Sequence, residues 1–253
     1  MQLIPADHTA FFHWFKQHTE TYWSKDRNAS PEENLCPEWI QGARWIGMTD
    51  EQIDLVQDRY GVVFAPEHRS FLKILHTIDR KKRVYEQFGA TKGNYVEHPF
   101  LYNWFEDEEA IKLRLRFAYN TILDDVLRMG IWQTRSWGER PDTDSERTEI
   151  FTSVFEKAPK LVPLNDHRFL VSDPALDTRP VVSVWGADIV CYGLDLRKYL
   201  LHEFNEHLDI YHRTYNASHD SWEWVLNDEY KPYFMYEDRS GLRNVPFWGD
   251  FLM

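Results

Sequence analysis

The chain has 253 residues with 43% hydrophobic and 16% aromatic side chains (11 Trp, 13 Tyr, 16 Phe), enough apolar bulk for a sizeable core and for large ring contacts. The formal net charge of -12 argues against a phosphate-binding or nucleic-acid-binding protein and is compatible with a basic partner or with solubility alone. Two cysteines, Cys36 and Cys191, are too few for a disulfide framework and have no zinc spacing, so they read as reduced thiols of a cytosol.

The opening segment, MQLIPADHTAFFHWFKQH, lacks the basic start and apolar run of a signal peptide, and no window approaches the ~20 apolar residues of a membrane span. The predicted location is cytoplasmic, and the sequons at Asn28 and Asn216 carry no weight. A helix is predicted from Pro5 to Gln17, with Phe11, Phe12, Trp14 and Phe15 as its bulk, then a polar loop from Asp26 to Pro37. Thr49 and Gln52 have the spacing of a capping box, and Met48 and Ile53 that of a hydrophobic staple. Ile53, Val56 and Tyr60 follow at helical spacing, and Gly61 is placed for a left-handed stop. Val62 to Phe64 make an apolar link. Pro66 opens a second helix with Phe71, Leu72, Leu75 and Ile78 on its apolar face.

The basic run Arg80 to Arg83 leads into a predicted loop through Pro99. Asp107 to Met129 reads as a long helix with Ile111, Leu115, Ile122 and Val126 near one face and Gly130 as its stop. Ile131 to Pro141 reads as a strand with an exit at Gly138. Thr143 and Glu146 then open a helix to about Lys157. Leu161–Leu164, Arg168–Val171, Pro180–Val184 and Ile189–Tyr192 read as strands, the last two joined through Trp185-Gly186-Ala187-Asp188 as a hairpin. Leu196 to Phe204 reads as a helix. Helices and strands mix without βαβ alternation, which predicts an α+β fold.

The Met48–Ile78 segment resembles the opening of the SUKH superfamily, which includes the Smi–Knr type cell-wall regulators of yeast and many bacterial immunity proteins. Helix, glycine (Gly61), short apolar stretch, proline (Pro66) and second helix stand in the family's order, with His76-Thr77-Ile78-Asp79 where a glycine-rich turn is usual. A second block resembles the bacterial branch. It runs through Trp132, Trp137-Gly138, Arg140-Pro141, Ala158-Pro159-Lys160-Leu161, Pro163 and His167-Arg168-Phe169, then Pro180–Val184, Asp188-Ile189 and Tyr192-Gly193. The resemblance implies a mixed, largely antiparallel sheet with helices packed around it. The two blocks span about 45–205, the core of a single expected domain; the N-terminal extension over 1–44 and the aromatic C-terminal extension over 206–253 are not explained by the resemblance. For bacterial members it implies binding and neutralising a toxin domain.

Candidate sites compete with plainer readings. His202, Glu203, Glu206 and His207 lie in LHEFNEH, but the two histidines are five apart, so a solvated helix face is favoured over a metal site. Glu106, Asp107, Glu108 and Glu109 suit a helix dipole, or secondarily a basic partner. His167 and Arg168 read as structural, Ser136 and Ser183 lack a nucleophile elbow, Cys191 reads as a buried thiol, and no glycine loop cradles phosphate. Trp132 reads as core. Trp137, with Arg135, Glu139 and Arg140 around it, reads equally as core or as an exposed anchor. In the tail, Trp222, Trp224, Tyr230, Tyr233, Phe234, Tyr236, Phe247 and Trp248 are expected mostly to fold back over the sheet.

The expectation is therefore a non-catalytic protein-binding domain without cofactor or metal. It binds a cognate, basic toxin and engages neither nucleic acid nor membrane, with Trp137, Glu139, Arg140 and Glu106–Glu109 as the contact candidates. A scaffold or regulator of cellular proteins is the alternative, and a hydrolase using His167 or Glu203 with His207 is the third reading.

Overall fold

The computed structural model describes residues 3–25, 36–87, 92–235 and 237–252. Most of the expected 26–37 loop, the sequon at Asn28, and Tyr236 lie outside the described residues. In chain order the elements are α1 (His8–Trp23), β1 (Trp45–Ile46), α2 (Asp50–Tyr60), α3 (Pro66–Leu75), β2 (Thr77–Ile78), β3 (Lys81–Glu86), β4 (Asn94–Pro99), α4 (Glu108–Arg128), α5 (Thr134–Trp137), α6 (Asp144–Phe155), β5 (Lys160–Asn165), β6 (Arg168–Ser172), β7 (Val181–Trp185), β8 (Asp188–Gly193), α7 (Leu196–Glu203), β9 (Tyr211–Asn216) and β10 (Ser221–Leu226). The fold is α+β, and every strand pairing among the described residues is antiparallel. No helix among them is long and apolar enough to cross a membrane.

Local signals placed most boundaries. Gly61 adopts φ +63°, the left-handed conformation that an L side chain resists, and Val62 N–H then closes α2 onto the carbonyl of Gln57 at 3.2 Å. Asp107 and Met129 bracket α4, and Gly130 follows at φ +73°. Thr143 Oγ1 accepts from Glu146 N–H at 3.3 Å and donates to its carboxylate at 2.6 Å, opening α6.

Four expectations are corrected. The first helix starts at His8, where Asp7 accepts from Ala10 N–H at 2.8 Å, and continues to Trp23. Ile78 lies in β2, opposite Trp45, after α3 has ended at Leu75. The predicted loop after Arg80 contains the hairpin β3–β4, which is held without an apolar face. Tyr85 and Tyr95 meet across it with ring centroids 5.3 Å apart, and the Arg83 guanidinium lies 4.3 Å from the Tyr95 centroid. The predicted strand at 131–141 is the short helix α5, because Trp132 Nε1–H donates to Gly138 O at 2.8 Å and draws the segment into a closed turn.

Contacts within the chain fall into two compact units interleaved in sequence. The first comprises residues 1–50, 69–101 and 200–237. Its interior is aromatic. Phe12 meets Phe71 at 5.6 Å, and Trp23 meets Trp45 at 5.6 Å and Phe100 at 5.9 Å. Trp45 Nε1–H donates to the buried Thr19 hydroxyl at 2.8 Å, and Trp23 Nε1–H to His207 Nδ1 at 3.2 Å. These bonds satisfy indole donors that would otherwise be costly to bury. Tyr233 anchors the start of the chain by accepting from Leu3 N–H at 3.0 Å, and Trp222 is exposed on β10.

The second unit comprises residues 51–68, 102–199 and 238–253. Its centre is the meander β5-β6-β7-β8. Central strands β6 and β7 are buried on both faces, while β8 alternates, with Ile189 and Cys191 inward and Val190 outward. Helix α4 packs on α6, β5 and β7. Ile122, Val126, Phe151, Phe169, Val182, Val184 and Trp248 form the shared core. His68 is fully buried here against Phe64, with ring centroids 4.5 Å apart. Glu67 forms a bidentate pair with Arg179, both little exposed.

Candidate protein-binding site

Asp125 on α4 organises the exposed end of the second unit. Its Oδ2 accepts from Ala187 N–H at 2.7 Å, inside the two-residue turn between β7 and β8. Gly186 precedes Ala187 at φ +61°, and a Cβ there would stand 2.0 Å from the same carboxylate oxygen. The turn therefore needs glycine for its backbone and for the close approach of Asp125. Asp125→Ala is expected to destabilise the protein by about 1.5–3 kcal/mol, because a hydrogen bond to a charged acceptor is lost; Asp125→Asn should cost less. Urea unfolding of the two variants checks this: equal losses would mean that the acceptor is not what matters.

With the turn pinned, Trp185 at the end of β7 stands 68% exposed, and its ring lies 5.8 Å from that of half-buried Phe117. Phe117, Asn120, Thr121, Asp124, Asp125, Trp185 and Gly186 line a cavity of about 420 Å³. The α4 residues recur at three- and four-residue steps, so one helix face supplies most of the lining. Beyond Phe117, the Arg114 guanidinium sits 4.9 Å from its ring and pairs with the Asp166 carboxylate. Asp166 also meets His167 Nδ1 at 2.8 Å, and the His167 ring lies 6.3 Å from Trp185. Arg114, Asp166, His167, Trp185 and Phe117 thus close a loop of contacts around an exposed indole. A Trp ringed by charged and polar groups has the composition of a binding hot spot.

The residues singled out from the sequence are placed differently. Trp137 is 6% exposed, meets Trp132 at 5.3 Å and stacks on Phe247 at 5.9 Å, so the exposed-anchor reading is corrected: it is core. Glu139 and Arg140 are exposed in the loop after α5. Asp107 accepts from Asn103 N–H at 2.8 Å at the start of α4. Glu108 bonds Lys112 at 2.6 Å and reaches Arg59 at 4.0 Å; the Lys112 ammonium holds its carboxyl below the usual range. Glu109 reaches Lys112 at 3.4 Å, and Glu106 is exposed. Of this acidic run, Glu108 and Glu109 share α4 with Phe117, about two turns away.

His202 packs on Phe234 at 5.4 Å, whereas His207 is partly buried among the rings of Trp23, Phe100 and Phe204. Among the described residues no group of three His, Cys, Asp or Glu side chains is arranged to hold a metal. Ser136 donates to Asp250 at 2.6 Å, and Ser183 accepts from Arg168 at 3.3 Å. Cys191 is a buried thiol. A second cavity of about 230 Å³, lined by Tyr60, Val62, Leu115, Phe155, Leu161 and Trp248, is mainly apolar.

Trp185, Phe117 and Asp125 escaped the sequence reading, which treated Trp185 only as part of a connection. The available signal was a large ring beside a Gly-containing hairpin turn, where burial is least attainable. No family model, curated protein or solved structure matches this chain.

Proposed function

We propose that this chain is a non-catalytic protein-binding domain of the immunity type, akin to the SUKH group, which neutralises a protein toxin by occupying its working surface. The observation that carries the reading is the exposed Trp185 platform beside Phe117 and its carboxylate rim. Aromatic anchors of this kind concentrate binding free energy, and charges at the rim set partner choice and association rate. The net charge of -12 is compatible with a basic toxin.

Co-purification with a toxin encoded beside its gene, followed by calorimetry, is the test. Trp185→Ala should weaken binding by about 2 kcal/mol or more, roughly 30-fold, with near-UV circular dichroism unchanged. Absence of a bound neighbouring toxin would overturn the reading. The Asp166–His167 hydrogen bond, close to the exposed Trp185, is the observation that favours a hydrolase instead. Turnover abolished by His167→Gln would establish that alternative.

A further inference from the structure

We propose that the cavity lined by Phe117, Asp124 and Trp185 receives an arginine side chain of the bound protein. The inference rests on the protein-binding reading and deepens it by naming what enters the site. Two aromatic rings form adjacent walls, 5.8 Å apart at their centroids and inclined at 56°, and Trp185 is 68% exposed, so indole surface is available to a planar group. Two carboxylates, Asp124 and Asp125, line the same cavity with the polar Asn120 and Thr121. Such a lining disfavours an anion and favours a cation that can stack on a ring and donate to oxygen at the same time.

Guanidinium meets both demands, since it is planar, weakly hydrated and carries donors along its edge. An ammonium is a compact, strongly hydrated point charge and stacks less well. The chain itself uses this chemistry nearby, with Arg114 at 4.9 Å from the Phe117 centroid and Arg168 at 3.6 Å from that of Tyr192. Asp125 is partly committed to Ala187 N–H, so Asp124 is the carboxylate that turns toward an incoming group. Asp124 bonds Arg128 at 2.7 Å, but both side chains are well exposed, and surface pairs of this kind exchange at little cost.

The experiment is a two-dimensional NMR titration of the full chain, with the Trp185 indole N–H assigned through Trp185→Phe. The probes are a blocked Gly-Arg-Gly peptide, its uncharged citrulline counterpart and its lysine counterpart. The expected result is a saturable shift of the Trp185 indole with the arginine peptide, at least about threefold weaker with lysine and absent with citrulline. Asp124→Asn should weaken the arginine response by a similar factor. An equal response to citrulline, or no Trp185 shift with millimolar arginine peptide, overturns the proposal. The two readings fail separately. A toxin that binds through Trp185 while the arginine peptide leaves the indole unmoved removes the arginine assignment and spares the function. A saturable arginine response without any bound neighbouring toxin does the reverse.

Discussion

Trp248→Ala is expected to lower unfolding free energy by about 3–5 kcal/mol, the usual cost of deleting a buried large aromatic side chain. Trp248 is 1% exposed, lies edge-on to Phe247 and Phe155 with centroids at 4.8 and 5.8 Å, and donates from Nε1 to Pro159 O at 2.8 Å. Truncation loses the ring, strands a buried carbonyl and enlarges the 230 Å³ cavity that the indole already borders. Phe247 sits at φ +64° in a tight turn closed by Trp248 N–H on Pro246 O at 2.7 Å, a strained geometry. Trp248→Phe restores most of the volume without the donor and should recover more than half of the loss. Denaturant midpoints of the three proteins decide the matter. A Trp248→Ala midpoint near wild type would show that the C-terminal segment does not hold this core.

The second large effect is acid destabilisation through His68 and His207. Burial pushes His207 down to about 4 and His68 down to about 3 from an ordinary value of 6.5. Below pH 6.5 each imidazole takes a proton readily in the unfolded chain, while the folded chain refuses it until its own lower value is reached. The unfolded state therefore binds more protons, and stability falls as pH falls. The contribution is whole above pH 6.5 and is lost for His207 by about pH 4, for His68 by about pH 3. Each accounts for a few kcal/mol at most, since a tenfold change in proton affinity between the folded and unfolded chain is worth about 1.4 kcal/mol. His207→Gln, which can still accept from Trp23 Nε1–H, should flatten the fall between pH 6.5 and 4. An unchanged slope in urea unfolding across that interval would rule His207 out as its source.

Much of the local architecture was legible because its causes are short-range. Gly61 and Gly130 end helices through backbone conformations that the glycines alone make cheap, Thr143 opens α6 through its own hydroxyl, and the β-branched runs around Gly186 pair as the hairpin β7–β8. The hairpin β3–β4 was illegible because KKRVYE carries no alternating apolar face; cross-strand contacts such as Tyr85 with Tyr95 hold it, and those require knowing which residues oppose each other. Trp137 shows the same limit from the other side. Its charged neighbours fit a surface anchor as well as a core residue, and the choice falls to Phe247, more than a hundred positions away, which stacks on it.

Composition, charge and the order of helix and strand signals were sufficient for an α+β chain of acidic surface, because propensity, capping and periodicity act within a few residues. The candidate binding face was beyond them. It exists because Asp125 of one helix grips a turn some sixty residues later and so sets Trp185 beside Phe117. Such a juxtaposition depends on long-range packing, and no window of neighbouring residues contains it.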